Sequence, residues 1–201
     1  MWYIIYRKNP KRNIKMKSLK IIISALMAVC ILICVSACGK SDTEIPKGMQ
    51  LVQSDFVDAK LFVPEEWTPD VTQGFLSAYV QSDKSSVSLT AMTGTKSYSS
   101  FNEYLEVYLS ELESTYAGYE YIASESRVPT ADEPDTGITL GGVEAARIVF
   151  KIKSGELTYK YMQIIASHGY IYTLTYTALE DKFDSHTEEI NKIISEFKFT
   201  K

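Results

Sequence analysis

The chain has 201 residues with 21 Lys+Arg, 25 Asp+Glu and three cysteines, a size that suits one domain around a single core. Seven of the basic residues (Arg7, Lys8, Lys11, Arg12, Lys15, Lys17, Lys20) lie before residue 21, so the rest holds fourteen against all 25 acids, a formal charge of −11. That excludes nucleic acid and anionic membrane surface as partners of the domain, since both need a basic patch. Cys30, Cys34 and Cys38 all fall before residue 39, which leaves the domain without disulfides or thiolate chemistry.

The basic leader is followed by Ile21 to Gly39, which carry no charge, and this is the pattern of an export signal. Its last residues, Val35-Ser36-Ala37-Cys38, resemble the lipobox of bacterial lipoproteins. The resemblance implies cleavage before Cys38, acylation of that cysteine and membrane lipid as its partner. Two other readings stay open. Nineteen uncharged residues at about 1.5 Å each reach across the hydrocarbon layer, so the segment fits an uncleaved anchor as well; a simple signal peptide cut with release of the domain is the other. In every case the basic end stays cytoplasmic and the remainder faces outward. Met16-Lys17-Ser18-Leu19-Lys20 opens a signal of ordinary length and reads as the true start. The expected division is residues 1–37 as signal, 38–48 as lipidated cysteine and flexible tether, and 49–201 as the globular domain.

After the tether, Met49 to Val57 and Ala59 to Val63 read as two strands, the second closed by Pro64-Glu65-Glu66-Trp67, with Trp67 plugging the end of the core. Phe75 to Gln81 and Ser86 to Met92 form a strand pair around Ser82-Asp83-Lys84-Ser85. Ser100-Phe101-Asn102-Glu103 is a capping-box pattern, and Phe101, Tyr104, Leu105, Tyr108, Leu109, Leu112 and Tyr116 then recur at helical spacing up to Gly118. Tyr119 to Val128 reads as a strand and Pro129 to Gly137 as a loop. Val143 to Lys153, Leu157 to Ala166 and Tyr170 to Ala178 form a hairpin-linked meander, with clear alternation in the first and the last. Glu180 to Phe197 closes the chain as a helix whose stripe includes Phe183, Ile190, Ile193, Ile194 and Phe197. The fold class expected is α+β: an antiparallel sheet of six to seven strands packed with two main helices.

This order of elements resembles the PsbP/Mog1-like domains, including those found as bacterial lipoproteins. The residues that carry the resemblance are Pro64-Glu65-Glu66-Trp67, Phe101-Asn102-Glu103-Tyr104, Leu140-Gly141-Gly142-Val143-Glu144-Ala145-Ala146 and Ile193-Ile194-Ser195-Glu196-Phe197-Lys198. It covers roughly Gln50 to Phe199. The resemblance implies an α/β/α sandwich, no shared catalytic residues and protein binding as the common theme.

Chemistry-bearing constellations are sparse. His168 falls in a hairpin turn and His186 on the expected outer part of the last helix, without a second histidine or a cysteine beside either; both read as surface residues and no metal site is expected. Asp132, Glu133 and Asp135 cluster in one loop, but not at EF-hand spacing, and read as solvated. Gly141-Gly142 lies between loop and strand, so it suits a tight turn and not a phosphate cradle. Tyr159, Tyr161, Tyr170, Tyr172 and Tyr176 crowd the last hairpin, where sheet packing competes with a role as binding surface. The reading is an exported lipoprotein on the outer face of the cell membrane, in a bacterium with a Gram-positive envelope. It is expected to be non-catalytic and cofactor-free, binding an envelope protein. The alternative is a small-molecule or ion-binding protein with a pocket between sheet and helix.

Overall fold

The computed structural model describes residues 44–72, 75–93, 98–122 and 138–201. Cys38 and the rest of the signal, and the acidic loop with Asp132, Glu133 and Asp135, lie outside the described residues. Ile45–Lys201 forms one compact unit.

The described residues are α+β. In chain order they form β1 (Met49–Ser54), β2 (Val57–Pro64), β3 (Thr68–Thr72), β4 (Phe75–Tyr79), β5 (Ser86–Met92), α1 (Phe101–Thr115), β6 (Tyr119–Tyr121), β7 (Thr139–Leu140), β8 (Val143–Ser154), β9 (Leu157–His168), β10 (Tyr170–Leu179), a 3-10 turn (Phe183–His186), α2 (Thr187–Glu196) and β11 (Lys198–Phe199). All pairings are antiparallel. The strands divide into a large sheet in the order β3-β4-β5-β10-β9-β8-β6, with β7 paired to β8, and a small sheet β1-β2-β11. The sequence led us to expect one sheet of six to seven strands. The additional strands β3, β7 and β11 are short, and β11 pairs through only Lys198 and Phe199, too few residues for alternation to show.

Each face of the large sheet has its own apolar cluster. On one face, Leu76, Val87, Leu89, Ile164, Leu174, Tyr172 and Tyr176 meet the small sheet's Leu61 and Val63, α2's Ile190 and Ile193, and Trp67. On the other, Ile148, Phe150, Ile165 and Ile171 pack against Tyr104, Leu105 and Leu112 of α1. Period-two alternation in β8, β9 and β10 feeds the two clusters from opposite sides of the same strands. A buried amide link joins α1 to the sheet: Tyr108 OH donates to Gln163 Oε1 at 3.0 Å, and Gln163 Nε2 donates to Thr175 Oγ1 at 3.3 Å.

The capping of α1 departs from the expected box. Ser100 Oγ accepts the Glu103 N–H at 3.1 Å, but the Glu103 carboxylate returns to Ser99, taking its backbone N–H at 2.6 Å as well as its hydroxyl. These Ser99 bonds, the hydroxyl first, hold the Glu103 carboxyl below its ordinary value. Gly141 and Gly142, at φ +58° and +80°, make the two-residue turn between β7 and β8, and a Cβ on Gly141 would stand 2.8 Å from the Phe199 ring. The tight turn expected there is present, and its first glycine also admits the C-terminal aromatic.

Candidate functional site

Among the described residues, three of the places that gather polar or aromatic side chains differ in what their geometry can do. The first is around His186, which the sequence placed on the surface. The final helix does not run from Glu180; a 3-10 turn occupies Phe183–His186 and α2 starts at Thr187. This delay turns His186 inward, where 15% of its side chain stays exposed. Its Nε2 lies 2.9 Å from Asp83 Oδ2 and its Nδ1 2.6 Å from Glu189 Oε2. The same Glu189 oxygen accepts the Trp67 indole N–H at 3.2 Å, and the two rings meet edge to face at 5.6 Å. Trp67 is 2% exposed, closing the end of the core as its position after the strand led us to expect. Burial pushes the imidazole down, yet the hydrogen bonds to the Asp83 and Glu189 carboxylates outweigh it, and the pKa is raised. Asp83 is the mirror case: burial raises it, and the bonds from His186 and Ser85 lower it further than that. With a carboxylate within hydrogen-bond distance of each nitrogen, both ring nitrogens of His186 are engaged. The arrangement clamps the β4–β5 turn to the start of α2. Ser85 Oγ is fully buried between the Asp83 carboxyl and the Tyr176 phenol and makes no well-formed hydrogen bond among the described residues.

The second place is the expected cleft between sheet and helix, about 280 Å³, lined by Arg147, Lys160, Met162 and Tyr176 of the sheet and Asp184 and Asn191 of the final segment. Two of its polar groups, Lys160 and Tyr176, are engaged with the protein itself. Lys160 Nζ stands 3.9 Å from Asp184 and 4.3 Å from the centre of the Phe183 ring, and Tyr176 OH donates to the Phe183 carbonyl at 2.9 Å. The lining is more polar than apolar, unlike the mostly apolar lining of a small-molecule site.

The third is an aromatic surface beside the C-terminal half of α1. Residues paired directly across antiparallel strands share a face. The pairings place Tyr121, Phe150 and Tyr161 in one row and Tyr119, Ile152 and Tyr159 in the next. Phe150 and Tyr161 stack at 4.9 Å, and Tyr119 tilts against Phe150 at 5.4 Å. Beyond this floor the helix and β6 diverge around a shallow cleft of about 410 Å³, lined by Leu109, Ser110 and Glu113 of α1 and Tyr119 and Tyr121 of β6. Tyr121 is 37% exposed and Tyr116, just past the helix end, 44%. Burial raises the Tyr121 phenol; for Tyr119 burial acts first, followed by Tyr121 and the Glu113 charge.

The structure thus separates the tyrosines that the sequence grouped. Tyr172 and Tyr176 are core, Tyr159 and Tyr161 half-buried, and Tyr170 exposed. Tyr119, Tyr121 and Glu113 were not singled out as site residues; the one signal that points to them is the run of tyrosines on the strand after an acidic helix. His168 is exposed at the end of β9, as expected, with Nε2 2.9 Å from the Lys201 carbonyl.

The sequence matches no family model and no curated protein, so the family resemblance rests on element order and short motifs alone. Solved structures similar to this chain include a protein of unknown function, PA94, from Pseudomonas aeruginosa, at 13% identity over 72% of this chain and 92% of that one, with a TM-score of 0.49. A Bacteroides thetaiotaomicron protein matches at 12% identity over 72% of this chain and 46% of its own, TM-score 0.45; the chain spans about half the length of that relative. LpqN, involved in cell envelope biogenesis of Mycobacterium tuberculosis, matches at 16% identity over 79% of this chain and 82% of that one, TM-score 0.38. Likeness at this distance assigns no activity and no site residue.

Proposed function

We propose that the protein is an exported, lipid-anchored, non-catalytic binding module of the bacterial cell envelope, with the tyrosine surface beside α1 as its binding face. The observation that carries the binding reading is the pair Tyr119 and Tyr121 lining the 410 Å³ cleft, with the exposed Tyr116 in the turn that leads into β6. Tyrosine offers large contact area for little lost side-chain entropy, and contiguous aromatic surface on an exported domain is what a partner covers. The address rests on the basic leader, the uncharged stretch and Val35-Ser36-Ala37-Cys38. Among the described residues no helix is long and apolar enough to cross a membrane. The non-catalytic reading is supported by His186, whose two ring nitrogens are both engaged by carboxylates.

The test is fractionation and intact-mass analysis of wild type and Cys38→Ala from cells of the source bacterium, with chemical crosslinking before lysis. The expected wild-type product begins at Cys38, carries a diacylglyceryl group, stays with membranes and forms a discrete adduct that Tyr116→Ser/Tyr121→Ser loses. An unmodified chain in the medium contradicts the anchor. An adduct unchanged in the double variant contradicts the binding face.

A further inference from the structure

The cleft between α1 and β6 has a sign as well as a shape. The sequence of α1, Phe101–Thr115, contains Glu103, Glu106, Glu111 and Glu113 and no basic residue, and its last turn has no basic side chain. A helix C-terminus carries a partial negative charge that ordinarily draws Lys or Arg. Here the end of the helix instead presents Glu113 to the cleft, with Tyr119 and Tyr121 opposite it and, among the described residues, no cation in the lining. Helix end, carboxylate and two phenol rings all favour a positive charge at one spot, the rings through their negative faces. A carboxylate at that position is unfavourable for the isolated helix, and an arriving cation would turn that cost into a gain.

We propose that this cleft receives an arginine or lysine side chain from a basic segment of the partner polypeptide. The proposal rests on the binding-face reading and names the chemistry of the partner. An open groove of about 410 Å³ admits a guanidinium together with some of its flanking backbone. The face round it is aromatic and acidic, and the domain as a whole carries the formal charge of −11 that steers a basic segment toward it.

The test uses the full-length chain in detergent micelles at physiological ionic strength. The probe is a fluorescent peptide of alternating glycine and arginine, with a glycine–glutamate peptide as its counterpart, read by anisotropy. Binding of the arginine peptide alone is expected, weakened about five- to ten-fold by Glu113→Gln and by Tyr121→Ala, as a partly desolvated cation–π contact or ion pair implies. Tyr121→Phe keeps the ring and should keep most of the binding, which separates the contact from misfolding. Glu66→Gln removes an equal charge from an exposed turn elsewhere and should leave binding unchanged. Equal effects of Glu113→Gln and Glu66→Gln would overturn the proposal, showing only diffuse attraction to an acidic protein. Displacement by tetramethylammonium as readily as by unlabelled peptide would overturn it in favour of a small organic cation. If the arginine peptide fails to bind while the cellular adduct still depends on Tyr116 and Tyr121, the basic occupant is wrong and the binding face remains.

Discussion

At the scale of single residues, His186 shows how a group placed by sequence on the surface becomes a structural ion. Its pKa is raised from 6.5, so its stabilisation is complete below that value and is lost as pH climbs through the raised one. Asp83 is lowered from 3.8; its contribution is present above 3.8 and is lost as pH falls through the lowered value. The clamp is therefore strongest in the mildly acidic window between the two. His186→Gln should cost about 1–2 kcal/mol there, less than a fully buried pair because Asp83 sits on a surface turn. Urea midpoints from about pH 5 to about pH 9 should show wild type and variant converging at the alkaline end; a gap independent of pH would mean that packing against Trp67, not charge, does the holding. The clamp was illegible in the sequence for a plain reason. Asp83 and His186 are 103 positions apart, and apolar periodicity alone does not show that the last helix begins with a 3-10 turn.

The secondary-structure elements divide according to whether their environment leaves a periodic mark. Helix α1 has one buried stripe, and β8 to β10 are long apolar-rich runs bounded by turn residues, so pattern and punctuation announce them within a residue or two of their ends. By contrast β3 (Thr-Pro-Asp-Val-Thr) ends the large sheet's strand order, and four of its five residues are exposed. With no buried face it has no pattern, and Pro69 argues against a strand except at such a position. The β2–β3 connection was legible through Trp67, but its clasp was not: Gln50 Nε2 lies 3.1 Å from the Pro64 and Glu65 carbonyl oxygens and 2.7 Å from that of Trp67. Trp67→Ala should cost about 3–5 kcal/mol, since it empties a core position and strips the Glu189 carboxylate of one donor. Gly141→Ala should cost more than about 1 kcal/mol, because it combines φ > 0 with displacement of Phe199. Denaturant unfolding of the two variants checks both, and a Gly141→Ala chain as stable as wild type would mean that β11 is not seated against the β7–β8 turn in solution.

For the whole molecule, sequence and structure each supply a different half of the account. The proposed address rests on composition and needs no fold: basic leader, uncharged run, small residues before Cys38. The face exists only in three dimensions, where β6 and α1 bring Tyr119, Tyr121 and Glu113 together. Tyrosine frequency hinted at such a surface, but the crowded last hairpin drew attention to Tyr172 and Tyr176, which the structure buries. The most direct measurement is site-specific photocrosslinking in intact cells, with a photoreactive phenylalanine analogue placed in turn at position 121, at position 116 and at the exposed Phe56 position of the β1–β2 turn. The account predicts one common adduct from positions 121 and 116, dependent on Glu113 and absent from position 56. The same adduct from position 56, or none from position 121 while other positions crosslink, would contradict it.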